Sequence, residues 1–162
     1  LTDEAVAKAY SASLRLRPPL RSAADVKAVR AALADGTLDA VTSHHSPQIL
    51  EDKALEFALA APGAIGLSTA LGLTLRWAQA DERPLGDVVR ALATGPAGVL
   101  GRGASLQAGD TADVVVFDPE ARTRIEDREL ASKARNTPWL GQALPGRVHW
   151  TVIGGQVVYA TG

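Results

Sequence analysis

Apolar residues recur at helical spacing in the first half of the chain. Within residues 22–34, alanine, valine and leucine return every three or four positions behind a serine that can cap a helix, and Asp35-Gly36 provides a stop. Similar spacing predicts a second helix over residues 67–80 and a third over residues 85–93, ended by Gly95-Pro96. The first half is therefore expected to be helix-rich.

A short strand is predicted between the first two helices. Residues 37–43 are β-compatible and run directly into a polar cluster, His44-His45-Ser46-Pro47-Gln48. Helix, turn, short strand and polar strand end in this order are typical of a parallel α/β barrel or sheet. Because such folds carry their chemistry at the C-terminal ends of the strands, this cluster is the first candidate site.

From Gly103 onward the pattern changes to apolar runs bounded by glycine. One run covers residues 111–119, and a second covers residues 148–159 with two glycines at its centre, which predicts a β-hairpin. Two architectures therefore share the chain, with a break near residues 94–104. We divide it into a barrel-like part, 1–95, and a β-rich part, 96–162.

Composition and charge narrow the functional classes. The 17 basic and 18 acidic residues give no positive field for nucleic acid, and the absence of cysteine excludes disulfides and thiolate metal sites. No apolar stretch approaches the ~20 residues of a membrane helix. Walker A, G-x-S-x-G and dinucleotide-binding motifs are absent. We expect a globular, cytoplasmic protein without nucleic-acid or membrane partners. Since the chain lacks methionine and opens in a loop, we expect a fragment.

Several segments, read in order, resemble the C-terminal half of the dihydroorotases, which are metal-dependent amidohydrolases. Residues 15–21 resemble the family's KxNPPLR loop, and residues 39–48 resemble its DxIATDHAPH strand end. Three further segments resemble GxxGLET, GxxAD and SKxxNTPF; they are residues 63–69, 109–113 and 132–139. The resemblance implies an α/β fold, namely the C-terminal part of a (β/α)8 amidohydrolase barrel plus strands of a small β-sandwich domain.

The resemblance also identifies positions where this chain departs from the family. His44 stands at the position of the metal-binding aspartate of the eighth strand, Arg17 at that of a substrate-binding asparagine, and Gln48 at that of the second histidine. His45 is kept in type. An imidazole is less able than a carboxylate to hold a hydroxide while accepting its proton. We therefore interpret the catalytic set as degenerate, with no intact catalytic residue, no metal site and no cofactor expected.

Histidine and arginine at these positions also have plain structural interpretations. Adjacent residues on a regular strand face opposite sides, so His44 and His45 would not share one metal ion. Arg17 could grip a carboxylate in bidentate fashion or fill a pocket. His149, within a predicted strand, is interpreted as structural.

One main hypothesis and two alternatives follow. The main hypothesis is a non-catalytic dihydroorotase-like protein of pyrimidine biosynthesis, which acts as a structural partner of the aspartate carbamoyltransferase catalytic chain in a hetero-oligomer and depends on its own N-terminal half. The first alternative is an active cyclic amidase of dihydroorotase or hydantoinase type with an altered site, which would use zinc. The second is a small-molecule sensor with a degenerate pocket. If the first strand, in the upstream half, lacks His-x-His as well, the amidase alternative is rejected.

Overall fold

The computed structural model describes residues 1–103 and 105–161, which form two compact units. Unit 1 contains residues 1–38, 42–70 and 125–142, and unit 2 contains residues 39–41, 71–124 and 143 onward. The two units alternate along the sequence. The predicted division into a barrel part, 1–95, and a β-sandwich part, 96–162, stays a prediction. Residues 104 and 162 of the predicted β-rich part lie outside the described residues.

Short helices dominate unit 1. They are α1 (Asp3–Ala9), α2 (Ala23–Asp35) and α3 (Leu50–Lys53), with 3-10 turns at Ala12–Leu14, Leu67–Thr69 and Asp127–Glu129. The predicted first helix is confirmed as α2. It begins at a capping box in which the side chain of Ser22 accepts from the backbone of Asp25 and the Asp25 carboxylate accepts in return, and it ends at Gly36 with φ of 84°.

The strand predicted over residues 37–43 is not observed. Residues 39–49 contain neither helix nor strand, and single backbone hydrogen bonds hold them instead. Val41 donates to the Ala91 carbonyl at 2.8 Å in unit 2, and Ser46 donates to the Ala64 carbonyl at 2.8 Å in unit 1. A strand requires a neighbour that completes its ladder, and within the described residues the sheet contains only three later strands.

Unit 2 carries most of α4 (Ala70–Ala80), which continues from the Leu67–Thr69 turn and confirms the second predicted helix. The third predicted helix starts as α5 (Leu85–Val89) but does not end at Gly95-Pro96. It continues through a π-helical segment, Arg90–Thr94, into α6 (Gly95–Val99). Proline in the first turn of α6 needs no intrahelical N–H partner, and Gly95 donates to the Arg90 carbonyl in the wider π register.

Three antiparallel strands in the order β1-β2-β3 form the sheet of unit 2. They are β1 (Val114–Arg124), β2 (Ala143–Ile153) and β3 (Gln156–Ala160). The predicted hairpin is confirmed as β2–β3, with positive φ at Gly154 and Gly155. In the same unit α4 packs closely on β2, since a Cβ on Gly72 would lie 2.7 Å from the Cβ of Leu144.

Candidate active site

The polar segment His44–Gln48 lies in unit 1, where the sequence predicts the end of a barrel strand. His44 is exposed and its backbone has a φ of 41°, in the left-handed region that non-glycine residues seldom adopt. Alternation of side chains along a regular strand therefore does not apply at this residue. The His44 ring has no hydrogen bond or ion pair with another described residue, so its imidazole is available to a ligand.

His45 is half-buried and has a defined hydrogen-bonding role. Its Nδ1 accepts the backbone N–H of Gly66 at 3.2 Å and that of Leu67 at 3.3 Å, at the start of the Leu67–Thr69 turn that leads into α4. A neutral imidazole carries one proton, so an accepting Nδ1 leaves that proton on Nε2. His45 is consequently a hydrogen-bond donor through Nε2 and is anchored to the start of a helix.

Gln48 is engaged within its own loop system. Its Nε2 donates to Ser46 Oγ at 3.1 Å and to the Pro62 carbonyl at 3.2 Å. The adjoining Gly63 has little free space, since a Cβ there would lie 2.5 Å from Ser46 Oγ. The Gln48 amide nitrogen therefore stabilises the turn at residues 62–63 and does not point freely toward a substrate.

Arg17, the fourth predicted site residue, is exposed and lies in a different stretch of unit 1, after the Ala12–Leu14 turn. Its side chain makes no hydrogen bond or ion pair with another described residue, and the Arg17-Pro18 peptide bond is cis. Neither the bidentate grip on a carboxylate nor the filling of a pocket is visible in this arrangement. The role assigned to Arg17 from the sequence stays a prediction. His149, in contrast, lies in β2 with Nδ1 3.2 Å from Thr161 Oγ1.

A cavity of about 890 Å³ opens beside this segment in unit 1. Of the four predicted residues, only Gln48 lines it. The other lining residues come from three stretches of the unit: Ser11, Ala12, Ser13, Pro47, Ile49, Leu50, Glu51, Lys53, Ser132, Lys133, Ala134, Arg135 and Asn136. The cavity wall thus combines hydroxyl, amide and basic groups with apolar side chains.

Lys53 forms part of the cavity wall and holds two loops together. Its ammonium donates to the Ala12 carbonyl at 2.7 Å and to the Arg15 carbonyl at 3.2 Å. Burial, and secondarily the charge of Arg15, lower the pKa of Lys53 below its ordinary value of 10.5. The Arg15 guanidinium in turn donates to the Phe57 carbonyl at 2.8 Å and also to that of Ala58. The two cations therefore tie the loop after α1 to the loop after α3.

Asn136 is the site-forming residue that the sequence did not single out. It is buried, and its side chain bonds to Ser46, Gln48 and Gly63. The available signal was indirect: Asn136 is the only asparagine of the chain and lies within the segment that resembles SKxxNTPF. Nothing in its local spacing indicates partners about 90 positions away.

The described residues do not form a metal centre by themselves. Among them, no group of three histidine, aspartate or glutamate side chains could hold a metal ion. His45 uses the lone pair of Nδ1 for two backbone N–H groups and carries a proton on Nε2, so it does not fit as a ligand. His44 can offer at most one imidazole, and any metal would need further ligands.

Comparison with solved structures defines the class of the fold. The L-hydantoinase (dihydropyrimidinase) from Arthrobacter aurescens superimposes with a TM-score of 0.88 at 25% identity, over 100% of this chain and 37% of that enzyme. The predicted fold class is thereby confirmed: the chain has the fold of the C-terminal part of an amidohydrolase barrel with strands of a small β-domain. No family model matches the chain.

Comparison with curated sequences finds similarity to dihydroorotases. The chain is 43% identical over 164 residues to the dihydroorotase of Geobacter sp. (strain M21), covering 100% of this chain and 38% of the relative. It is 46% identical over 165 residues to that of Anaeromyxobacter dehalogenans (strain 2CP-1), covering 98% and 37%. The chain is therefore similar in sequence to the C-terminal part of dihydroorotases and spans less than two fifths of the length of these relatives.

These comparisons correct one expectation. The interpretation of the chain as a non-enzyme is wrong, because its relatives are named dihydroorotase and its structural neighbours are hydantoinases, both of which are enzymes. That interpretation gave three substituted positions more weight than the remainder of the chain. It also treated imidazole as a poor substitute for carboxylate, although histidine is itself a common proton acceptor and metal ligand.

None of the helices in the described residues combines the length and the apolar character needed to cross a bilayer.

Proposed function

We propose that the protein containing this chain is a metal-dependent cyclic amidase of the dihydroorotase or hydantoinase type, with an altered site at the end of its eighth barrel strand. The observation that carries the proposal is the identity of 43% to a dihydroorotase across the whole chain, together with a hydantoinase fold. Where one fold hosts many activities, the residues of the site decide the function, so His44 must also have a role in the reaction.

His44 acts as the general base in this proposal. Its exposed imidazole can take a proton from the attacking water while the water oxygen bonds to the carbonyl carbon of the cyclic amide. The ring C–N bond then breaks, and His44 returns the proton to the departing ring nitrogen. The products are a carboxylic acid and an open-chain N–H group, so atoms and protons balance.

His45 supports the same reaction without accepting or donating the transferred proton. Its Nε2–H is a fixed donor because two backbone N–H groups of the helix start occupy Nδ1. A donor held in this way can stabilise negative charge that develops on an amide oxygen. His45 and His44 thus have complementary roles, one as donor and one as base.

Zinc belongs to the proposal as the cofactor of this amidase class. When bound, it would supply a water of lowered pKa as nucleophile at neutral pH. The family resemblance implies that its ligands lie mainly upstream of the present residues. Association with an aspartate carbamoyltransferase catalytic chain remains a separate proposal, which is compatible with an active enzyme.

The test uses the full-length protein loaded with zinc. Opening of dihydroorotate and of a hydantoin is followed by absorbance, with His44→Ala as the test variant and His149→Ala, in β2, as the matched control. We expect turnover of ~1 per second or more for the wild type. We expect a loss of ~10²–10⁴-fold for His44→Ala, as for removal of a general base, and none for His149→Ala.

Two results would count against the proposal in different ways. Absence of turnover on both substrates by the zinc-loaded wild type refutes the amidase function. Equal kcat for His44→Ala and the wild type refutes the role of His44 and leaves the function standing.

A further inference from the structure

We infer that Asn136 is a positioning residue for the proposed reaction: its side-chain amide fixes the segment that carries His44 and His45 against the turn at Gly63. The inference deepens the proposed function and rests on it. It concerns a residue that lies far from the candidate site in sequence and is one of the few buried polar groups of unit 1.

The hydrogen bonds of Asn136 connect three stretches of the chain. Nδ2 donates to the Ser46 carbonyl at 2.9 Å and to the Gly63 carbonyl at 3.1 Å, while Oδ1 accepts the backbone N–H of Gln48 at 3.2 Å. The backbone carbonyl of Asn136 also accepts the N–H of Ile65 at 2.9 Å. One residue therefore holds the segment 46–48 and the turn at Gly63 in a fixed relation.

The amide has no free donor for a substrate, and only one acceptor lone pair remains unused. Both Nδ2 protons and one Oδ1 lone pair are used inside the protein, and the residue is only 7% exposed. Asn136 must therefore act through the residues it holds. This distinguishes it from His44, whose ring is exposed.

The position of the bonds explains why an asparagine is needed there. Ser46 and Gln48 flank Pro47, which has no backbone N–H and cannot donate to a neighbouring strand. The Asn136 amide presents a donor to one side of the proline and an acceptor to the other, as a partner strand would. The preceding residue, His45, is fixed independently by the N–H groups of Gly66 and Leu67.

Loss of the Asn136 amide would leave the segment 44–48 fixed at only one of these two points, through His45. Displacement of reacting groups by about 1 Å can lower kcat on the order of 10²-fold. Because the groups displaced are the proposed base and donor, the effect falls on kcat more than on KM. A residue that only stabilised the fold would not produce this split.

The experiment compares Asn136→Ala with Thr137→Val in full-length, zinc-loaded protein. Thr137 is an apt control because it is similarly buried and, among the described residues, its hydroxyl hydrogen-bonds only to the backbone N–H of Trp139 in its own loop, at 3.3 Å. For each variant, kcat and KM are measured with dihydroorotate. Peptide-resolved hydrogen exchange is measured for residues 44–48 and 62–66, with residues 148–153 of β2 as reference.

We expect Asn136→Ala to lower kcat at least ~10-fold with a smaller change in KM, within the range for displaced reacting groups. Exchange should accelerate at residues 44–48 and 62–66 and stay unchanged at 148–153. Thr137→Val should do neither. If Asn136→Ala does not fold, Asn136→Asp replaces it, since that side chain has the same size and keeps an acceptor for Gln48 while losing both donated bonds.

Equal exchange and equal kcat in the Asn136 and Thr137 variants would overturn the inference. So would a fall in activity that matches the unfolded fraction. A wild type without turnover refutes the proposed function instead. The exchange comparison needs no substrate and still decides whether Asn136 fixes the segment.

Discussion

Substitution of Gly66 by alanine should disturb the candidate site directly. Gly66 has an ordinary φ of −130°, so the reason for glycine here is space and not backbone conformation. An added Cβ would lie 3.0 Å from the carbonyl carbon and 3.3 Å from the Cβ of Ser43, and nearer still to the Ser43 carbonyl oxygen. Ordinary contact begins at 3.4 Å. Ser43 immediately precedes His44, so the clash falls on the segment that carries the candidate site.

The size of the effect follows from which atoms must move. Overpacking a filled site costs about 1–3 kcal/mol, and the upper part of that range applies here because the obstacle is backbone. A shift of Gly66 also weakens the hydrogen bond that its backbone N–H donates to His45 Nδ1. A neutral hydrogen bond of this kind contributes about 0.5–1.5 kcal/mol. Together we expect a loss of about 3 kcal/mol in the free energy of unfolding.

Urea unfolding of the full-length protein, followed by tryptophan fluorescence, measures this loss as a lower midpoint at unchanged slope. Gly86→Ala is the matched control. Gly86 lies in α5 with open space around its Cα, so alanine there should raise the free energy of unfolding by up to about 1 kcal/mol. A Gly66→Ala variant as stable as the wild type would refute the close approach of Gly66 to Ser43.

Three further predictions test other parts of the molecule. Because the pKa of Lys53 is lowered in the folded state, the unfolded chain binds more protons between that pKa and 10.5. Urea titrations should therefore show the unfolding free energy of the wild type rising relative to that of Lys53→Met as the pH increases through this window. A difference that does not change with pH would contradict this prediction. Ser22→Ala removes the capping box of α2 and should lower the free energy of unfolding by about 1 kcal/mol. Ser68→Ala, at an exposed serine, is the control, and equal losses in the two variants would contradict a stabilising role of the cap. The full-length protein and the aspartate carbamoyltransferase catalytic chain should co-elute in size exclusion at micromolar concentration, and unshifted elution would reject the partner.

Elements whose signals are local could be predicted from the sequence. The boundaries of α2 depend on Ser22 and Gly36 at its own ends, and the β2–β3 hairpin depends on two glycines between its strands. The predicted end of the third helix was wrong because the rule that proline ends a helix assumes the α-helical hydrogen-bond register. The π-helical segment Arg90–Thr94 lets the helix continue through Pro96.

The candidate site could be located from the sequence but its geometry could not. Family resemblance found the segment His44–Gln48, since residue types and order are visible in the sequence. The acceptor role of His45 depends on Gly66 and Leu67, and the role of Gln48 depends on Pro62, which are tertiary contacts without a local pattern. The expectation of a non-enzyme failed for a related reason: a substituted residue was assessed without the groups around it.

The bond between Asn136 and Ser46 also has a consequence for the time course of biosynthesis. The two residues are 90 positions apart, whereas His45 and Gly66 are 21 apart. Closing the longer loop costs about 1.3 kcal/mol more in chain entropy. Ribosomes adding ~5–20 residues per second need roughly 5–20 s to reach Asn136 after Ser46. His45 can therefore bind the N–H groups of Gly66 and Leu67 early, while the second fixation of the segment waits until Asn136 has been synthesised. A nascent chain stalled in that interval would carry a half-assembled site.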